Sequence, residues 1–148
     1  MATFISHSPE ETASLGEKLA GQVNAGEVLA LTGDLGAGKT QFVKGFARGL
    51  GIAERVQSPT FALVNCHPDG RLPLYHLDLY RLETERQIVS AGLEGYLEPD
   101  GVAVIEWAER LVEAGLISKS EPPANVRWVQ FEIVSESERR VIYEDPGD

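Results

Sequence analysis

A glycine-rich loop between an apolar run and a helix pattern constrains this chain more than any other segment. Residues 33–40 read GDLGAGKT and match the pattern G-x-x-x-x-G-K-[ST] at every fixed position. The apolar run 27–32 before the loop predicts a buried strand, and residues 39–50 after it predict a helix. A strand, a glycine loop and a helix in this order are the context in which this pattern forms a phosphate-binding P-loop.

The residue types of this loop suit a bound phosphate group. Glycines let backbone N–H groups turn inward around phosphate oxygens, where a side chain would collide. The helix that follows directs the positive end of its dipole at the same anion. Lys39 supplies a mobile positive charge for the β- and γ-phosphates, and the Thr40 hydroxyl suits Mg²⁺. The loop therefore predicts a site for a nucleotide and Mg²⁺.

The segment before the loop predicts a strand and an amphipathic helix. The strand covers Ala2–Ser6. Ser8 can cap the helix, Pro9 suits its first position, and Glu11 completes a capping box. Residues 24–26 are expected to end it. Its apolar stripe, at four-residue spacing, consists of Leu15, Leu19 and Val23.

The remaining patterns indicate an α/β fold. Further strands are expected at 61–65, 72–77, 101–106, 126–134 and 139–144. The first two of these flank the turn signal 68–70 and predict a hairpin, and helices are expected over 84–93 and 108–114. We predict a P-loop NTPase-like three-layer fold with a mixed, partly parallel sheet. The 148 residues suit one domain, with residues 145–148 expected to fray.

A P-loop also needs a carboxylate that binds the metal or orients the attacking water. Glu106 ends the apolar run 102–105, in the manner of a Walker-B acid, and Asp78 ends another apolar run. A carboxylate at the C-terminal end of a core strand lies beside the P-loop, at the edge of the sheet where ligands bind. The sequence leaves open which acid binds the metal and which orients water.

Composition argues against several classes of function. Lys and Arg number 13 and Asp and Glu number 23, so the net charge is −10, which disfavours binding to DNA or RNA through a broad basic surface. Cys66 is the only cysteine, so an intramolecular disulfide is excluded. The N-terminus does not resemble a signal peptide, and no apolar run approaches the roughly 20 residues that span a bilayer. We therefore expect a cytoplasmic protein without membrane contact.

Three functions fit these residues. The first is an ATPase with Lys39, Asp78 and Glu106 as catalytic residues; adenine is favoured because the chain lacks the guanine-reading N-K-x-D motif. Hydrolysis is expected to be slow in the isolated protein, because no arginine finger lies near the motifs. The second is a small-molecule kinase in which Asp78 acts as base and Arg81 binds phosphate. The third is a nucleotide-gated binding module with negligible turnover.

Four segments, taken in their order and spacing, resemble those of the TsaE (YjeE) family. They are GDLGAGKT at 33–40, SPTFAL at 58–63, HLDLYRL at 76–82 and IEW at 105–107. The resemblance implies a P-loop ATPase that is needed for threonylcarbamoyl modification of adenosine 37 in tRNAs that read ANN codons. It also implies that the chain binds the complex of two partner proteins, TsaD and TsaB. The tRNA would be contacted only indirectly, and DNA not at all.

The resemblance also implies roles for individual residues, with ATP and Mg²⁺ as the ligands. The phosphate loop would consist of Leu35, Gly36, Ala37, Gly38, Lys39 and Thr40. Asp78 and Glu106 would be the magnesium and catalytic acids, with Thr40 as a hydroxyl ligand. Residues 58–60 would form a nucleotide-sensing switch. Thr60 and Trp107 would also lie near the nucleotide. An N-terminal segment near 6–8 and a C-terminal loop near 137–140 would close over the base, with Ser8 and Arg139 as the contacts.

Overall fold

A seven-stranded sheet organises the part of the chain that the structure describes. The computed structural model describes residues 1–53, 56, 64–82, 84, 86–87 and 91–144. The strands are β1 (Ala2–Ser6), β2 (Val28–Thr32), β3 (Val64–His67), β4 (Leu74–Asp78), β5 (Val102–Glu106), β6 (Val126–Ile133) and β7 (Arg139–Tyr143). The helices are α1 (Pro9–Ala20), α2 (Lys39–Gly49) and α3 (Glu109–Glu113), with a 3₁₀ helix at Leu93–Leu97.

The centre of the sheet is parallel and its edges are antiparallel. The strand order is β1-β7-β6-β2-β5-β4-β3. Strands β6, β2, β5 and β4 run parallel to one another, whereas β7 and β1 on one side and β3 on the other pair antiparallel. The carboxyl ends of β2, β5 and β4 therefore meet at one edge, which carries Thr32, Glu106 and Asp78. The predicted mixed, partly parallel sheet is confirmed.

Helices cover both faces of the sheet. Leu29 and Leu31 of β2 belong to the apolar cluster that includes Phe42 and Phe46 of α2 and the buried stripe of α1. Val28 and Ala30 alternate to the opposite face, where the cluster includes Leu111 of α3. This alternation follows the two-residue period of a strand and produces the predicted three layers. Among the described residues, no helix has the length and apolar character needed to cross a bilayer.

The start of α1 differs in one bond from the predicted capping box. Ser8 caps the helix as expected, and its hydroxyl accepts a hydrogen bond from Glu11 N at 3.1 Å. The Glu11 carboxylate, however, accepts from the backbone N–H of His7 at 3.0 Å, one residue before the cap. The Glu11 side chain therefore bonds the backbone of the residue before the cap, and not that of the cap residue itself.

The end of α1 was predicted too late. The helix stops at Ala20, where Gly21 donates its N–H back to the carbonyls of the last turn, and not at residues 24–26. Val23 is nevertheless buried, with 2% of its surface exposed. The apolar stripe therefore continues into the turn beyond the helix, and apolar spacing alone does not mark the boundary.

The middle of the chain is described only in part. The predicted hairpin is present, since β3 and β4 pair antiparallel from Val64 opposite Leu77 to His67 opposite Leu74. Residues 61–63 of its predicted first strand lie outside the described residues, and the strand continues to His67, two residues beyond its predicted end. Of the helix predicted over 84–93, residues 86–87 are helical, and residues 91–92 form a turn before the 3₁₀ helix.

Candidate nucleotide site

The loop between β2 and α2 exposes its backbone to a small ligand. Gly33, Gly36 and Gly38 have φ angles of 138°, 81° and 104°, which side chains rarely tolerate. A Cβ atom on Gly33 would lie 2.5 Å from the carbonyl oxygen of Phe131, so glycine is also needed there for space. Gly38 caps α2 without a side-chain hydrogen bond, which leaves this helix start suited to an anion.

Lys39 lies buried against the loop, with 5% of its surface exposed. Its ammonium group donates to the carbonyl oxygens of Gly33 and of Asp34, the second at 3.0 Å. It also lies 4.1 Å from the centre of a Trp107 ring, in cation–π contact. Burial lowers the pKa of Lys39 below its ordinary value of 10.5, and the carboxylate of Glu109 is the strongest of the charges that oppose this. A desolvated cation is thus held where the loop meets α2.

Trp107 takes a strained conformation directly after β5. Its φ is +60°, and no other non-glycine residue in the described ranges has a positive φ. Such a conformation costs about 1–2 kcal/mol for an L-residue and is typical of ligand sites. The chain continues with Ala108, whose N–H donates to the carbonyl of Leu31 at 3.0 Å. The indole packs against Tyr80, with 5.0 Å between ring centres.

The two predicted acids lie side by side, because Asp78 of β4 is opposite Glu106 of β5 in the parallel register. Oε1 of Glu106 accepts a hydrogen bond from the Thr40 hydroxyl at 2.9 Å, and Oε2 lies 2.6 Å from Nε2 of His76. Asp78 accepts from the N–H of Tyr80 at 3.0 Å. Burial raises the pKa of Asp78 above 3.8, and the charge of Glu106 acts in the same direction.

Most of the predicted site residues line one cavity of about 350 Å³. Its lining consists of Leu35, Gly36, Ala37, Gly38, Lys39, Thr40, Gln41, Asp78, Tyr80, Glu106 and Trp107. The sheet edge and the loop thus bring together all six phosphate-loop residues, both acids and the tryptophan. The roles given to these residues stay predictions.

A second cavity, of about 500 Å³, adjoins the first along the loop. The two share Gly36, Gly38 and Gln41 in their linings. Ser8 and Arg139, which the resemblance implies near the base, both line the second cavity. Arg139 donates through Nε to the carbonyl of Gly36 at 3.2 Å, which joins the start of β7 to the phosphate loop. The Ser8 oxygen already accepts the N–H of Glu11, so its hydroxyl proton is what it has left to donate.

One predicted site residue lies outside the described residues, and the sequence did not predict three residues that belong to the site. Thr60, with the switch 58–60, lies outside the described residues. Gln41 and Tyr80 line the first cavity and His76 contacts Glu106, yet none was predicted to do so. The signal for His76 was its place two residues before Asp78, on the same face of β4.

The donor set at this edge fits Mg²⁺. Thr40, Glu106 and Asp78 present a hydroxyl and two carboxylates, and hard oxygen ligands are what Mg²⁺ prefers. In the described ranges, no group of three or more His, Cys, Asp or Glu side chains is placed to hold a metal by itself. The parallel core, the glycine loop and the paired acids define a P-loop NTPase-like protein.

The chain belongs to the TsaE family, because the model of that family matches residues 6–141. The model is described as "Threonylcarbamoyl adenosine biosynthesis protein TsaE". The matched range includes the whole phosphate loop, both acids and Trp107. The family resemblance carried by the four sequence segments is therefore confirmed.

Similar proteins agree with this assignment. The chain is 49% identical to the "tRNA threonylcarbamoyladenosine biosynthesis protein TsaE" of Bacillus subtilis over 106 residues, covering 72% of the chain and 66% of the relative. The Nostoc relative of the same name is 50% identical, with 69% of the chain and 65% of the relative covered. The chain thus spans just under two thirds of these two relatives. For the Treponema pallidum relative, 38% identical, the shares are 93% and 96%.

A solved structure shares the fold. The crystal structure of YdiB from Bacillus subtilis superimposes with a TM-score of 0.77 at 35% sequence identity. The match covers 96% of this chain and 83% of that protein.

Proposed function

We propose that this chain binds ATP with Mg²⁺ and hydrolyses it slowly, as an accessory protein in threonylcarbamoyl modification of adenosine 37 in tRNAs that read ANN codons. It acts on the complex of TsaB and TsaD, in the cytoplasm, and contacts tRNA only through those proteins. Support for the pathway comes from the family and from the names of the relatives. Support for the chemistry comes from the hydrogen bond that joins Thr40 to Glu106 beside Lys39.

The residues of the first cavity divide the work of phosphoryl transfer. The loop N–H groups and the start of α2 bind the phosphates, and Lys39 moves from the loop carbonyls to the β- and γ-phosphate oxygens. Thr40 and Glu106 hold Mg²⁺, which when bound neutralises charge that develops on the phosphate oxygens. Asp78, the neighbouring acid, orients the attacking water.

The reaction is an in-line displacement on the terminal phosphate. Water forms a bond to the γ-phosphorus as the bond to the β–γ bridging oxygen breaks, so that ADP, inorganic phosphate and one proton are released. Of the described residues that line the cavity, Lys39 is the one cation. Fast phosphoryl transfer in P-loop enzymes depends largely on a second cationic side chain, an arginine finger. The isolated chain therefore hydrolyses ATP slowly, and a partner that supplies such a side chain accelerates the reaction.

The second cavity receives the base and ribose. It adjoins the phosphate loop, and its remaining lining comes from the start of α1, the β6–β7 connection and the first residue of β7. This placement matches the N-terminal and C-terminal segments that the family resemblance implies. Its 500 Å³ lies within the range of small-molecule sites.

Replacement of the natural protein in a bacterium tests this function. A strain depleted of its own TsaE is supplied with this chain, with Lys39→Ala, or with Lys44→Ala, which removes an exposed lysine from the same helix. We expect the unmodified chain and Lys44→Ala to restore threonylcarbamoyladenosine in total tRNA nucleosides, and Lys39→Ala to fail. Failure of the unmodified chain would overturn the pathway assignment, and success of Lys39→Ala would overturn the role of the P-loop.

A further inference from the structure

His76 is a fully buried polar residue that contacts Glu106 of the site from the interior of the sheet. It lies in the middle of β4 with none of its surface exposed. Its Nε2 atom is 2.6 Å from Oε2 of Glu106, which is itself 2% exposed. Among the described residues, Nδ1 of the same ring has no hydrogen-bond partner. The bond to Glu106 is therefore the polar contact that defines the orientation of this ring.

The strand register makes this contact possible. His76 is opposite Val104 and Asp78 is opposite Glu106 in the parallel β4–β5 pair. Side chains two residues apart on a strand share a face, so His76 lies one step inward from the two acids. Glu106 is the diagonal neighbour of His76 on the adjacent strand, and the two long side chains meet at 2.6 Å. The ring thus approaches Glu106 from the protein interior, whereas Thr40 approaches from α2.

The Glu106 carboxylate is consequently held at both oxygens by different residues. Thr40 donates to Oε1 at 2.9 Å, and His76 occupies Oε2 at 2.6 Å. With one hydrogen-bond partner on each oxygen, the carboxylate is restrained against rotation. Residues that bond the far side of a metal-binding group in this way tune its affinity for the metal.

We propose that His76 is a positioning residue for Glu106: its Nε2–H donates to Oε2 and keeps Oε1 directed at Thr40. The proposal deepens the proposed function and rests on it where it concerns hydrolysis, but the hydrogen bond itself belongs to the protein alone. Loss of the ring donor lets the carboxylate rotate away from Thr40. The Mg²⁺-dependent step then suffers, while binding of the nucleotide without Mg²⁺ does not.

The protonation of the ring is read directly by ¹H–¹⁵N NMR on the isolated protein, with no nucleotide added. We expect Nε2 of His76 to carry a proton whose signal shifts in Glu106→Gln and stays in place in Glu113→Gln, an exposed control on α3. A proton on Nδ1 alone, or an Nε2 proton that is indifferent to Glu106→Gln, would overturn the proposal. Because this measurement needs no ATP, it stands even if hydrolysis is never detected.

Three variants separate positioning from simple packing. In His76→Gln the side-chain amide reaches the place of Nε2, whereas in His76→Asn it stops at the place of Nδ1. His67→Asn replaces a buried histidine at the other end of the β3–β4 pair and controls for loss of stability. We expect His76→Asn to lower kcat and raise the half-saturating Mg²⁺ concentration by about 10-fold to 100-fold, with Mg²⁺-free ATP binding unchanged.

The conservative variant decides the outcome. His76→Gln is expected to stay within about threefold of the unmodified protein, and His67→Asn to change Tm without changing the Mg²⁺ dependence. If the Gln and Asn variants lose activity equally and only in proportion to their loss of Tm, the histidine is a packing residue and the proposal is wrong. If the unmodified protein shows no hydrolysis at all, the proposed function fails and the NMR result alone judges His76.

Discussion

The hydroxyl of Thr40 donates to Oε1 of Glu106 across 2.9 Å, which joins the first turn of α2 to the carboxyl end of β5. This bond places the hydroxyl and a carboxylate on the same side of the phosphate loop, as the proposed binding of one Mg²⁺ ion by both groups requires. The bond can form because β2, which leads into the loop, is the direct neighbour of β5 in the sheet.

Thr40→Val keeps the shape of the side chain and removes the donor, whereas Thr40→Ser keeps the donor. Loss of a group that orients a metal-binding carboxylate lowers affinity by about 10-fold to 100-fold, so we expect Thr40→Val to weaken Mg²⁺-dependent ATP binding by that factor. Thr40→Ser should stay within about threefold. Calorimetric titration with ATP and Mg²⁺ measures both, and equal affinities for the Val and Ser variants would contradict the role of the hydroxyl.

Asp78 should destabilise the folded protein at neutral pH. Burial raises its pKa above 3.8, so the folded state binds this proton more tightly than the unfolded state does. Stability therefore falls as pH rises through the raised pKa. Asp78→Asn keeps the oxygen that accepts the N–H of Tyr80 and removes the charge. We expect it to raise Tm at pH 7 and to have no effect below the ordinary pKa of 3.8, while hydrolysis is lost.

Thermal unfolding of both proteins over a pH series checks this prediction. The gain in Tm should stay constant where Asp78 is charged in the folded state, and shrink as the pH falls through its raised pKa toward 3.8. A variant that is less stable at pH 7, or a difference in Tm that does not depend on pH, would show that the charged Asp78 carboxylate does not destabilise the folded protein.

The contact between α1 and α2 depends on glycine at position 45. A Cβ there would lie 1.7 Å from the carbonyl oxygen of Ala13, so the two helices would have to separate. Overpacking of this kind costs about 3 kcal/mol or more, and we expect Gly45→Ala to lower the free energy of unfolding by that amount. Gly21→Ala is the control, because its Cβ would meet only the Lys18 carbonyl oxygen at 3.5 Å and its φ is −71°.

Denaturant unfolding of the two variants measures the difference. Gly21→Ala should be neutral or stabilise by up to about 1 kcal/mol, since alanine restricts the unfolded chain. If Gly45→Ala were as stable as Gly21→Ala, the close helix contact would be wrong.

Local pattern was enough to predict the phosphate loop in full and most helix and strand bounds to within one residue. Ala2–Ser6 was predicted as the structure has it, and α2 begins at Lys39 as expected. The end of α1 was missed because the buried stripe runs on to Val23, beyond the last helical residue. Periodicity reports which side chains are buried, and burial continues where the helix does not.

The arrangement of the site beyond the loop depended on strand order, which no local pattern contains. The apolar runs indicated that Asp78 and Glu106 end strands, but not that β4 and β5 are neighbours in the sheet. His76 had no partner in the sequence, because Glu106 lies 30 residues away along the chain. Only the β2-β5-β4 order brings these side chains to one edge.

Arg139 should matter for the base and not for the phosphates. Its side chain lines the second cavity, where we propose that the base binds. Arg139→Gln keeps an amide donor at the place of Nε, which donates to the carbonyl of Gly36, and removes the charge. We expect Arg139→Gln to weaken ATP binding by about 10-fold, as loss of one charge-assisted hydrogen bond does, and to leave binding of inorganic triphosphate nearly unchanged. Arg140→Gln is the control, since Arg140 pairs with Glu132. Equal losses for ATP and triphosphate would place the base elsewhere.

Release of inorganic phosphate from ATP by the purified chain tests the central claim most directly. The assay compares the unmodified protein with Glu106→Gln and with the exposed control Glu113→Gln, each with and without the TsaB–TsaD complex and with Mg²⁺ present. We predict slow release by the unmodified protein and by Glu113→Gln, faster release when the complex is added, and none from Glu106→Gln. Release by Glu106→Gln at the unmodified rate, or no release from the unmodified protein under either condition, would contradict the claim.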